Sequence, residues 1–440
     1  MVGVGDSGRS GSGLSDSLSG KGRAIVVGAG VAGLAAARAL VAEGWSVTIV
    51  EARERAGGRI FTDRSNPDLP LDLGPSWVHG VHKNPIIRIL DEAGARFETT
   101  DWDSYALYMK GRKQKDCEWA FAIFDYIDER KERIDRDETV GAAMQRFFAK
   151  RKYTPLERKT VEQIAYCEIV TEFGADLGEM SLACYDEGEE PAGGDAFVLG
   201  GFDRLIAALA QGQDIRFGVE ATSVRDRGDG VEVIHAGGVE TCDVAIVTVP
   251  LKLLQDDAIA FSPPFGAARR AALAGLGMGH LHKTFLLFER AFWPKQKRLA
   301  IVHQGRLWNE FLNIEPETGV PLLAGLHGGS DEREIAGMSH EAIADSAMAV
   351  LRQVFPDAPA PVRIATSNWG QDPYARGSYS FLPIHASFDM FTALAEPHGR
   401  ILFAGEHTHT IYHATVLGAY LSGIRAAEDA LRLVKGTAVA

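Results

Sequence analysis

A glycine-rich turn between an apolar strand and an alanine-rich helix is the feature that most constrains how this sequence can fold. Residues 23–28 are short, apolar and β-branched, as in a buried parallel strand, and they lead directly into the turn at residues 28–33. The composition then predicts a helix over residues 34–43 and a second strand over residues 45–50, which ends at Glu51. The segment is therefore predicted to form a βαβ unit.

The spacing of the glycines predicts that this unit binds a dinucleotide. Gly28 allows the tight turn, Gly30 lets the backbone approach a pyrophosphate, and Gly33 lets helix and strand pack closely. The pyrophosphate would lie at the helix N-terminus, where free N–H groups favour negative charge. Glu51 would accept ribose hydroxyls and repel a 2′-phosphate, which disfavours NADP. The alternative is a glycine turn in an unrelated strand–helix connection, but strand, helix and acid follow in the order that a dinucleotide site requires.

Length and charge limit the classes of function. The 440 residues correspond to roughly two or three domains. The formal net charge of -13 disfavours nucleic acid and anionic membranes as partners and favours a cationic substrate. No apolar run is long enough to span a membrane. The four cysteines have no ligand-like spacing, which indicates a reducing, cytoplasmic location, and the Gly/Ser-rich residues 1–22 are interpreted as a disordered leader.

Four separated blocks of sequence narrow the cofactor. The first extends the βαβ unit through residues 51–60, where Arg53 and Arg59 are candidates to clamp a pyrophosphate. The other three blocks are residues 72–80, residues 281–294, and residues 369–380 together with 403–416. In this order the blocks resemble the flavin-containing amine oxidase family, which includes monoamine oxidases, polyamine and spermine oxidases and lysine-specific histone demethylases. The resemblance covers residues 23–433.

The resemblance implies an α/β fold with a Rossmann-type FAD-binding domain and an inserted α+β substrate domain. The FAD-binding domain would comprise residues 23–83, 193–280 and 386–440, and the substrate domain residues 84–192 and 281–385. FAD would be held without a covalent bond, because Ser378 stands where monoamine oxidases carry the cysteine that attaches the flavin. The residues expected to bind the cofactor are Gly28, Gly30, Val31, Ala32, Gly33, Glu51, Ala52, Arg53, Gly58, Arg59, Gly74, Pro75, Ser76, Trp77, Ala221, Trp369, Gly405, Glu406, Thr415 and Val416.

Four residues are expected to act in catalysis. By resemblance, Lys283 holds a water against flavin N5, whereas its alternating, strand-like surroundings alone would make it a solvated edge lysine. Tyr379 matches one tyrosine of the family's aromatic cage, and Thr415 replaces the other. His79 is similar to the histidine that faces the substrate amine in animal polyamine and spermine oxidases, and the alternative is a loop histidine bonded to backbone.

Two clusters allow a second interpretation. His407, His409 and His413 fall close together, but no cysteine pair accompanies them, so we expect no metal site. The acidic run at residues 186–190 is either a solvated turn or an entrance that concentrates polyamine cations.

The resemblance implies hydride transfer from the carbon next to an amine nitrogen to flavin N5, followed by imine hydrolysis and reoxidation by O2 to give H2O2. The expected substrate is a polyamine or an acetylated polyamine, with O2 as the second substrate. Oxidation of an L-amino acid, a monoamine or a specialised metabolite is the alternative enzyme activity. An FAD-containing demethylase-like or interaction protein is the alternative of another class. The sequence does not set the oligomeric state.

Overall fold

The computed structural model describes residues 21–434, apart from residues 116, 187, 189 and 190. The predicted leader, residues 1–22, lies outside this part of the chain except for its last two residues. Three glutamates of the acidic run also lie outside it. Within it the chain is a mixed α/β protein with several sheets, as predicted.

The described strands, in chain order, are β1 (Arg23–Val27), β2 (Ser46–Val50), β3 (Thr62–Asp63), β4 (Leu71–Asp72), β5 (Trp77–His79), β6 (Arg96–Thr99), β7 (Tyr105–Met109), β8 (Arg112–Lys113), β9 (Asp195–Leu199), β10 (Asp214–Arg216), β11 (Ala221–Asp226), β12 (Val231–His235), β13 (Gly238–Cys242), β14 (Val244–Val247), β15 (Ala260–Ser262), β16 (Gly277–Gly279), β17 (Leu281–Leu287), β18 (Arg298–Val302), β19 (Glu310–Asn313), β20 (Leu322–Gly328), β21 (Arg363–Thr366), β22 (Tyr379–Phe381) and β23 (Ile401–Phe403).

The described α-helices are α1 (Val31–Ala42), α2 (Pro85–Glu92), α3 (Ala122–Lys131), α4 (Val140–Ala149), α5 (Pro155–Ala165), α6 (Thr171–Phe173), α7 (Asp203–Ala210), α8 (Leu251–Gln255), α9 (Ala267–Gly275), α10 (Glu315–Thr318), α11 (Ser330–Ala336), α12 (His340–Leu351), α13 (Asp389–Ala395) and α14 (Val416–Val434). A π-helical turn, Tyr166–Val170, joins α5 to α6. None of the helices in the described part of the chain combines the length and the apolar character needed to cross a lipid bilayer.

A parallel sheet organises the first part of the fold. Its strand order is β10-β2-β1-β14-β23, and β1 and β2 are buried along nearly their whole length. Helix α1 begins at Val31, three residues before the predicted start, because the glycine turn already enters the helix at Gly30. Parallel strands bring their carboxyl ends to one edge, where ligands of open α/β sheets bind.

The segment after α7 divides between two sheets. Strand β10 joins the parallel sheet beside β2, with Ile215 opposite Ile49. The chain then turns at Gly218, which has a φ of +68°, and only β11 and β12 form the antiparallel pair. The apolar spacing of residues 215–236 does not reveal this change of partner.

The first and last described helices pack together. The Cβ of any residue larger than glycine at position 423 would lie 2.2 Å from the carbonyl oxygen of Ala32, so Gly423 lets α14 lie directly on α1. Arg425 of α14 donates to the carbonyl oxygen of Thr408 at 2.7 Å. These contacts bring the start of α14 and the glycine turn to the same edge of the parallel sheet.

A second, seven-stranded sheet has the order β21-β17-β20-β19-β18-β7-β8. β17 lies between β21 and β20, so it is an interior strand. The buried apolar side chains of the seven-stranded sheet form clusters that are distinct from the cluster around the parallel sheet.

Candidate functional site

A cavity of about 1270 Å³ joins the two sheets. It opens at the carboxyl ends of the parallel strands, beside Val27, Val50 and Thr248, and extends to one face of the seven-stranded sheet at Lys283 and Leu326. Its volume is that of a large ligand or of two ligands together. The site was expected at these strand ends.

The cavity wall contains every predicted site residue except Gly33. The predicted residues in the wall are Gly28, Gly30, Val31, Ala32, Glu51, Ala52, Arg53, Gly58, Arg59, Gly74, Pro75, Ser76, Trp77, His79, Ala221, Lys283, Trp369, Tyr379, Gly405, Glu406, Thr415 and Val416. These residues come from segments far apart in the sequence, so the fold brings them together.

The glycine turn has the geometry of an anion cradle. A Cβ on Gly33 would lie 2.0 Å from the carbonyl oxygen of Gly28, so this glycine allows close packing of helix and strand. A Cβ on Gly30 would meet no protein atom within 4 Å, because it would project into the cavity. Gly30 is also the N-cap of α1 without a side-chain cap, so N–H groups of the first turn are available to a ligand.

Two charged residues beyond the turn are fixed by contacts within the protein. Glu51 is buried, and its two oxygens accept the N–H groups of Ala29 at 2.7 Å and Arg53 at 2.9 Å. The guanidinium of Arg53 forms a bidentate pair with Asp372, with N–O distances of 2.8 and 2.5 Å. Arg53, an expected pyrophosphate clamp, is thus held by a carboxylate that precedes Pro373 and Tyr374 of the cavity wall.

Arg59, the second expected clamp, pairs with Glu406 at 2.9 Å and donates to the carbonyl oxygen of Ser378 at 2.7 Å. Glu406 also accepts from the Ser380 hydroxyl at 2.6 Å and the Ala414 N–H at 3.0 Å. Burial would raise the pKa of Glu406, but the charges of Arg59 and His407 and these hydrogen bonds outweigh burial and hold the pKa at about 2. Glu406 is therefore a permanent anion that ties three segments together.

Lys283 lies on β17 with only 5% of its surface exposed. Its ammonium donates to the Gly74 carbonyl oxygen at 2.5 Å, the Ser76 hydroxyl at 2.6 Å and the Asp72 carbonyl oxygen at 3.2 Å. The alternative of a solvated edge lysine is wrong, because β17 is interior and the side chain points into the cavity wall. A water held by Lys283 would have to replace one of these three contacts, of which the one to Asp72 is the longest.

Burial lowers the pKa of the Lys283 ammonium below its ordinary value, and the nearby Asp72 carboxylate partly opposes that shift. Asp72 is itself buried, which raises its pKa, although Thr62 and the Phe202 N–H donate to the carboxylate. Within the described part of the chain no carboxylate forms a direct ion pair with Lys283. The cavity thus contains a lysine whose charge is weakly supported.

His79 and Tyr379 are held in place by neighbouring groups. The Nδ1 of His79 lies 3.1 Å from an Asp195 carboxylate oxygen, which also accepts from Trp102 Nε1 at 3.0 Å. His79 is therefore bonded to a carboxylate, not only to backbone as in the alternative interpretation. The Tyr379 hydroxyl donates to the carbonyl oxygen of Thr171 at 3.1 Å, and burial raises the pKa of its phenol.

The hydroxyls of Thr415 and Ser378 are used by the fold. Thr415 accepts from the Gly418 N–H at 2.9 Å and donates to the Tyr412 carbonyl oxygen at 2.7 Å, so it caps the start of α14. Ser378 accepts from the Leu281 N–H at 2.8 Å and thereby aligns the start of β17. Trp369 donates to the Leu73 carbonyl oxygen at 2.9 Å and is also buried in the wall.

The histidines near the start of α14 do not converge. His407 is buried beside Glu406, His409 accepts from the Tyr412 N–H, and His413 stacks on Phe391. Across residues 21–434, outside the four positions not described, no three His, Cys, Asp or Glu side chains are grouped to hold a metal ion.

Sequence reasoning missed several residues of the wall. Asp195 lies opposite His79 in the pairing of β5 with β9. Asp72 is buried next to Leu73 of the wall and lies close to Lys283. Glu168, Arg298 and Glu310 form an ion cluster farther along the cavity. Only the register of distant strands brings these side chains together, so no local pattern could have identified them. Asp186, the described carboxylate of the acidic run, lines the cavity and pairs with Lys131 at 2.5 Å.

Comparison with known proteins identifies a family model and several relatives that match most of this chain. Residues 31–431 match the family model of flavin-containing amine oxidoreductases. Polyamine oxidase 2 of Arabidopsis thaliana is 34% identical over 427 residues, which cover 92% of this chain and 87% of that protein. Polyamine oxidase 4 of Oryza sativa subsp. japonica is 33% identical, with 92% and 88% of the two chains covered.

A lysine-specific histone demethylase, 1B of Mus musculus, is more distant: it is 30% identical over 92% of this chain and 52% of its own length. The match to the family model extends over most of the sequence, and the cavity contains the glycine turn together with the buried lysine. The chain therefore belongs to the flavin-containing amine oxidoreductase family and is an FAD-dependent amine oxidase.

Proposed function

We propose that this protein is a polyamine oxidase that holds FAD without a covalent bond, between the glycine turn and the start of α14. The observation that carries the proposal is the single cavity that joins an uncapped helix N-terminus to a buried lysine and an acidic wall. The relatives named polyamine oxidase are similar along nearly the whole chain, which supports the same substrate class.

The residues of the glycine turn fit a dinucleotide cofactor. Gly30 leaves space at the N-terminus of α1, where the pyrophosphate would be bound by N–H groups. Glu51 lies at the end of β2, where its remaining lone pairs would accept ribose hydroxyls. Val416 begins α14, whose N-terminal N–H groups would support negative charge on the flavin. The Ser378 hydroxyl cannot provide the thioether of a covalent flavin.

The division into domains follows the same cavity. Residues 23–83, 193–280 and 386–440 would form the Rossmann-type FAD-binding domain around the parallel sheet. Residues 84–192 and 281–385 would form the inserted substrate domain around the seven-stranded sheet. The wall residues come from both groups of segments, as expected for a site between two domains.

FAD bound between the glycine turn and the start of α14 would supply the redox chemistry, which is removal of a hydride from the carbon next to the amine nitrogen and reduction of O2 to H2O2. The protein orients the amine and excludes water. Asp195 holds His79 through Nδ1, which fixes the direction in which the ring presents its other nitrogen. Tyr379 and Trp369 supply the aromatic surface, and Lys283 holds a proton where oxygen is reduced.

The charges of the wall favour a cationic substrate over an amino acid. The carboxylates in the part of the wall away from the glycine turn are Asp101, Asp103, Glu168, Glu172, Asp186, Asp195 and Glu310. Arg298, a cation in the same part of the wall, is already paired with Glu168 and Glu310. A substrate carboxylate would be repelled there, whereas a polyamine would be attracted.

The cofactor part of the proposal is tested with two glycine variants. Gly30→Ala should fold like the wild type but bind FAD more weakly, because its methyl group points only into the cavity. Gly33→Ala should fail to fold stably, because its methyl group meets the Gly28 carbonyl oxygen. FAD affinity measured by flavin fluorescence and unfolding of the apoprotein separate the two effects. Equal FAD affinity for Gly30→Ala and wild type would contradict the proposed location.

The substrate part is tested by product analysis. Purified protein with FAD is supplied with spermine, spermidine, acetylated spermine, tyramine and leucine, and H2O2 and the amine products are quantified by mass spectrometry. We expect H2O2 and a shortened amine only with the polyamines. Turnover of leucine or tyramine without turnover of polyamines would contradict the proposed substrate class. Release of the flavin on acid precipitation would support non-covalent binding.

A further inference from the structure

A buried cluster of ions lies in the cavity wall away from the glycine turn. The Nε of Arg298 donates to Glu310 at 2.9 Å, and its Nη2 lies 2.5 Å from Glu168. The side chains of Arg298 and Glu310 are 10% and 13% exposed, whereas that of Glu168 is 31% exposed. One guanidinium between two carboxylates leaves a net charge of about -1, and a buried charge of this kind requires a partner.

The register of the seven-stranded sheet places this cluster relative to Lys283. Lys283 of β17 lies opposite Leu326 of β20, and Leu312 of β19 lies opposite Ala324 of β20. Continuing that register places Glu310 on the same row as Leu326 and Lys283. Side chains on one row share a face, and β17 and β19 are separated by two strand spacings, roughly 10 Å.

The wall between the lysine and the cluster is apolar. Leu326 lies between Lys283 and Glu310 on the row, and Leu312 lies beside Glu310 on the same face. Both leucines line the cavity. From the lysine outward, the wall therefore presents an apolar surface and then a carboxylate. A linear diamine is complementary to the outer part of this wall: its methylene chain matches the apolar surface, and the ammonium group at its far end matches the carboxylate.

Glu168 reaches the cluster from the π-helical turn Tyr166–Val170, an irregularity that occurs frequently at functional sites. The turn is fixed on both sides: the Gly328 N–H donates to the Tyr166 hydroxyl at 2.9 Å, and the Thr171 hydroxyl donates to the Cys167 carbonyl oxygen at 2.6 Å. The Oε1 of Glu168 is buried in its ion pair with Arg298, 2.5 Å from Nη2. The Glu168 side chain as a whole is 31% exposed in the cavity wall, and among the described residues Oε2 has no hydrogen-bond donor, so Oε2 is the oxygen left to meet a ligand.

We propose that Glu168, held in position by Arg298, receives the second ammonium group of a di- or polyamine and so selects these substrates over monoamines. The inference rests on the proposed polyamine oxidase function. Glu310 is the less exposed of the two carboxylates and forms the hydrogen bond to Arg298, so it neutralises the guanidinium. Glu168 then supplies the charge that meets the substrate.

The test uses the FAD-loaded protein and two linear ligands of equal length, diaminooctane and octylamine, which differ only in the second ammonium group. Their binding is measured under anaerobic conditions by the change in flavin absorbance. Glu168→Gln should weaken diaminooctane binding by about 10- to 100-fold, the equivalent of one hydrogen bond to a charged group. Octylamine binding should not change, because octylamine has no second ammonium group to meet the Glu168 carboxylate.

Two further variants separate charge from general disturbance of the fold. Glu168→Asp keeps the charge and should recover part of the diaminooctane affinity. Glu129→Gln makes the same chemical change on the exposed side of α3 and should bind both ligands like the wild type. Equal weakening of both ligands in Glu168→Gln would indicate a structural role and overturn the proposal.

The two proposals fail in different ways. If the wild type oxidises polyamines but Glu168→Gln binds diaminooctane as tightly as the wild type does, the inference about Glu168 alone is wrong. If the wild type oxidises no polyamine, the proposed function is wrong and this inference falls with it. Loss of diamine preference with retained octylamine binding supports both.

Discussion

Two buried charges in the same cavity are stabilised in opposite ways. Glu406 has a cationic partner, Arg59, at 2.9 Å and donors from Ser380 and Ala414, and its pKa is held at about 2. Lys283 has three oxygens as partners, from Asp72, Gly74 and Ser76, all of them uncharged, and burial lowers the pKa of its ammonium.

The difference separates a structural charge from a chemical one. Because its pKa is held at about 2, the carboxylate of Glu406 is charged at neutral pH, so it can hold segments together but does not exchange a proton there. Burial destabilises the charged form of Lys283 and lowers the pKa of its ammonium, so its proton is easier to release. The Glu406 region should therefore respond to substitution in stability, and the Lys283 region in reaction rate.

The largest effect on stability is expected for Glu406→Gln. This change leaves Arg59 without its carboxylate partner, and breaking such a pair should lower the free energy of unfolding by about 3 kcal/mol. Glu428→Gln, which removes an exposed partner of Arg432, should lower it by less than about 0.5 kcal/mol. Urea unfolding of the FAD-loaded variants measures both values, and equal values would remove the distinction between the two charges.

Lys283→Met should lower the rate of flavin reoxidation by about 100-fold, the usual contribution of a positioned proton donor. Folding and FAD content should change little, since methionine fills a similar volume. The ionisation of Lys283 should also disappear from the pH profile of reoxidation. Stopped-flow mixing of the reduced protein with O2 measures the rate, with Lys113→Met on exposed β8 as the control. A wild-type rate in Lys283→Met would place the lysine outside the chemistry.

The strand that carries Lys283 should also make stability depend on pH. His282 and His327 lie opposite each other on β17 and β20, and burial lowers the pKa of His282 to about 4 and of His327 to about 3, from 6.5. The unfolded chain therefore binds more protons than the folded chain as pH falls from 6.5 toward these values. The free energy of unfolding should therefore decrease as the pH is lowered, by up to about 1.4 kcal/mol per pH unit for each histidine.

His282→Leu tests this dependence, because neither ring nitrogen of His282 has a hydrogen-bond partner among the residues that the structure describes. Urea unfolding between about pH 4.5 and 7 should show a shallower slope for the variant than for the wild type. The exposed His340, changed to Leu, serves as the control and should keep the wild-type slope. Identical slopes for His282→Leu and the wild type would contradict the assignment of the acid sensitivity to β17.

The smallest effect is expected at the start of α14, in the Glu406 region. Thr415→Ala removes the side-chain oxygen that accepts the Gly418 N–H, which should cost about 1 kcal/mol of stability. Thr415→Ser keeps that oxygen and should be close to wild type in thermal unfolding. A large loss of turnover in Thr415→Ala with unchanged stability would instead assign the hydroxyl to the chemistry.

Sequence reasoning identified the parts of the site that depend on local backbone geometry. The glycine turn could be predicted because Gly28, Gly30 and Gly33 act within one strand–turn–helix unit. The position of Lys283 required the family resemblance, since alternation along a strand does not distinguish an interior strand from an edge.

The remaining contacts depend on long-range register. His79 meets Asp195 through the pairing of β5 with β9, and Glu310 shares a row with Lys283 through β20. The role of Arg53 at a phosphate stays a prediction, and its ion pair with Asp372 joins segments more than 300 residues apart. Pairings of this kind depend on how separate segments meet, which single-sequence patterns do not contain. The cytoplasmic location stays a prediction.

The most direct test of the account is anaerobic addition of spermine to the purified, FAD-loaded protein. The account predicts that the flavin absorbance is bleached, and that it returns with release of H2O2 when O2 is admitted. A yellow protein that stays unbleached by spermine, spermidine and acetylated spermine would contradict the central claim that this cavity oxidises polyamines.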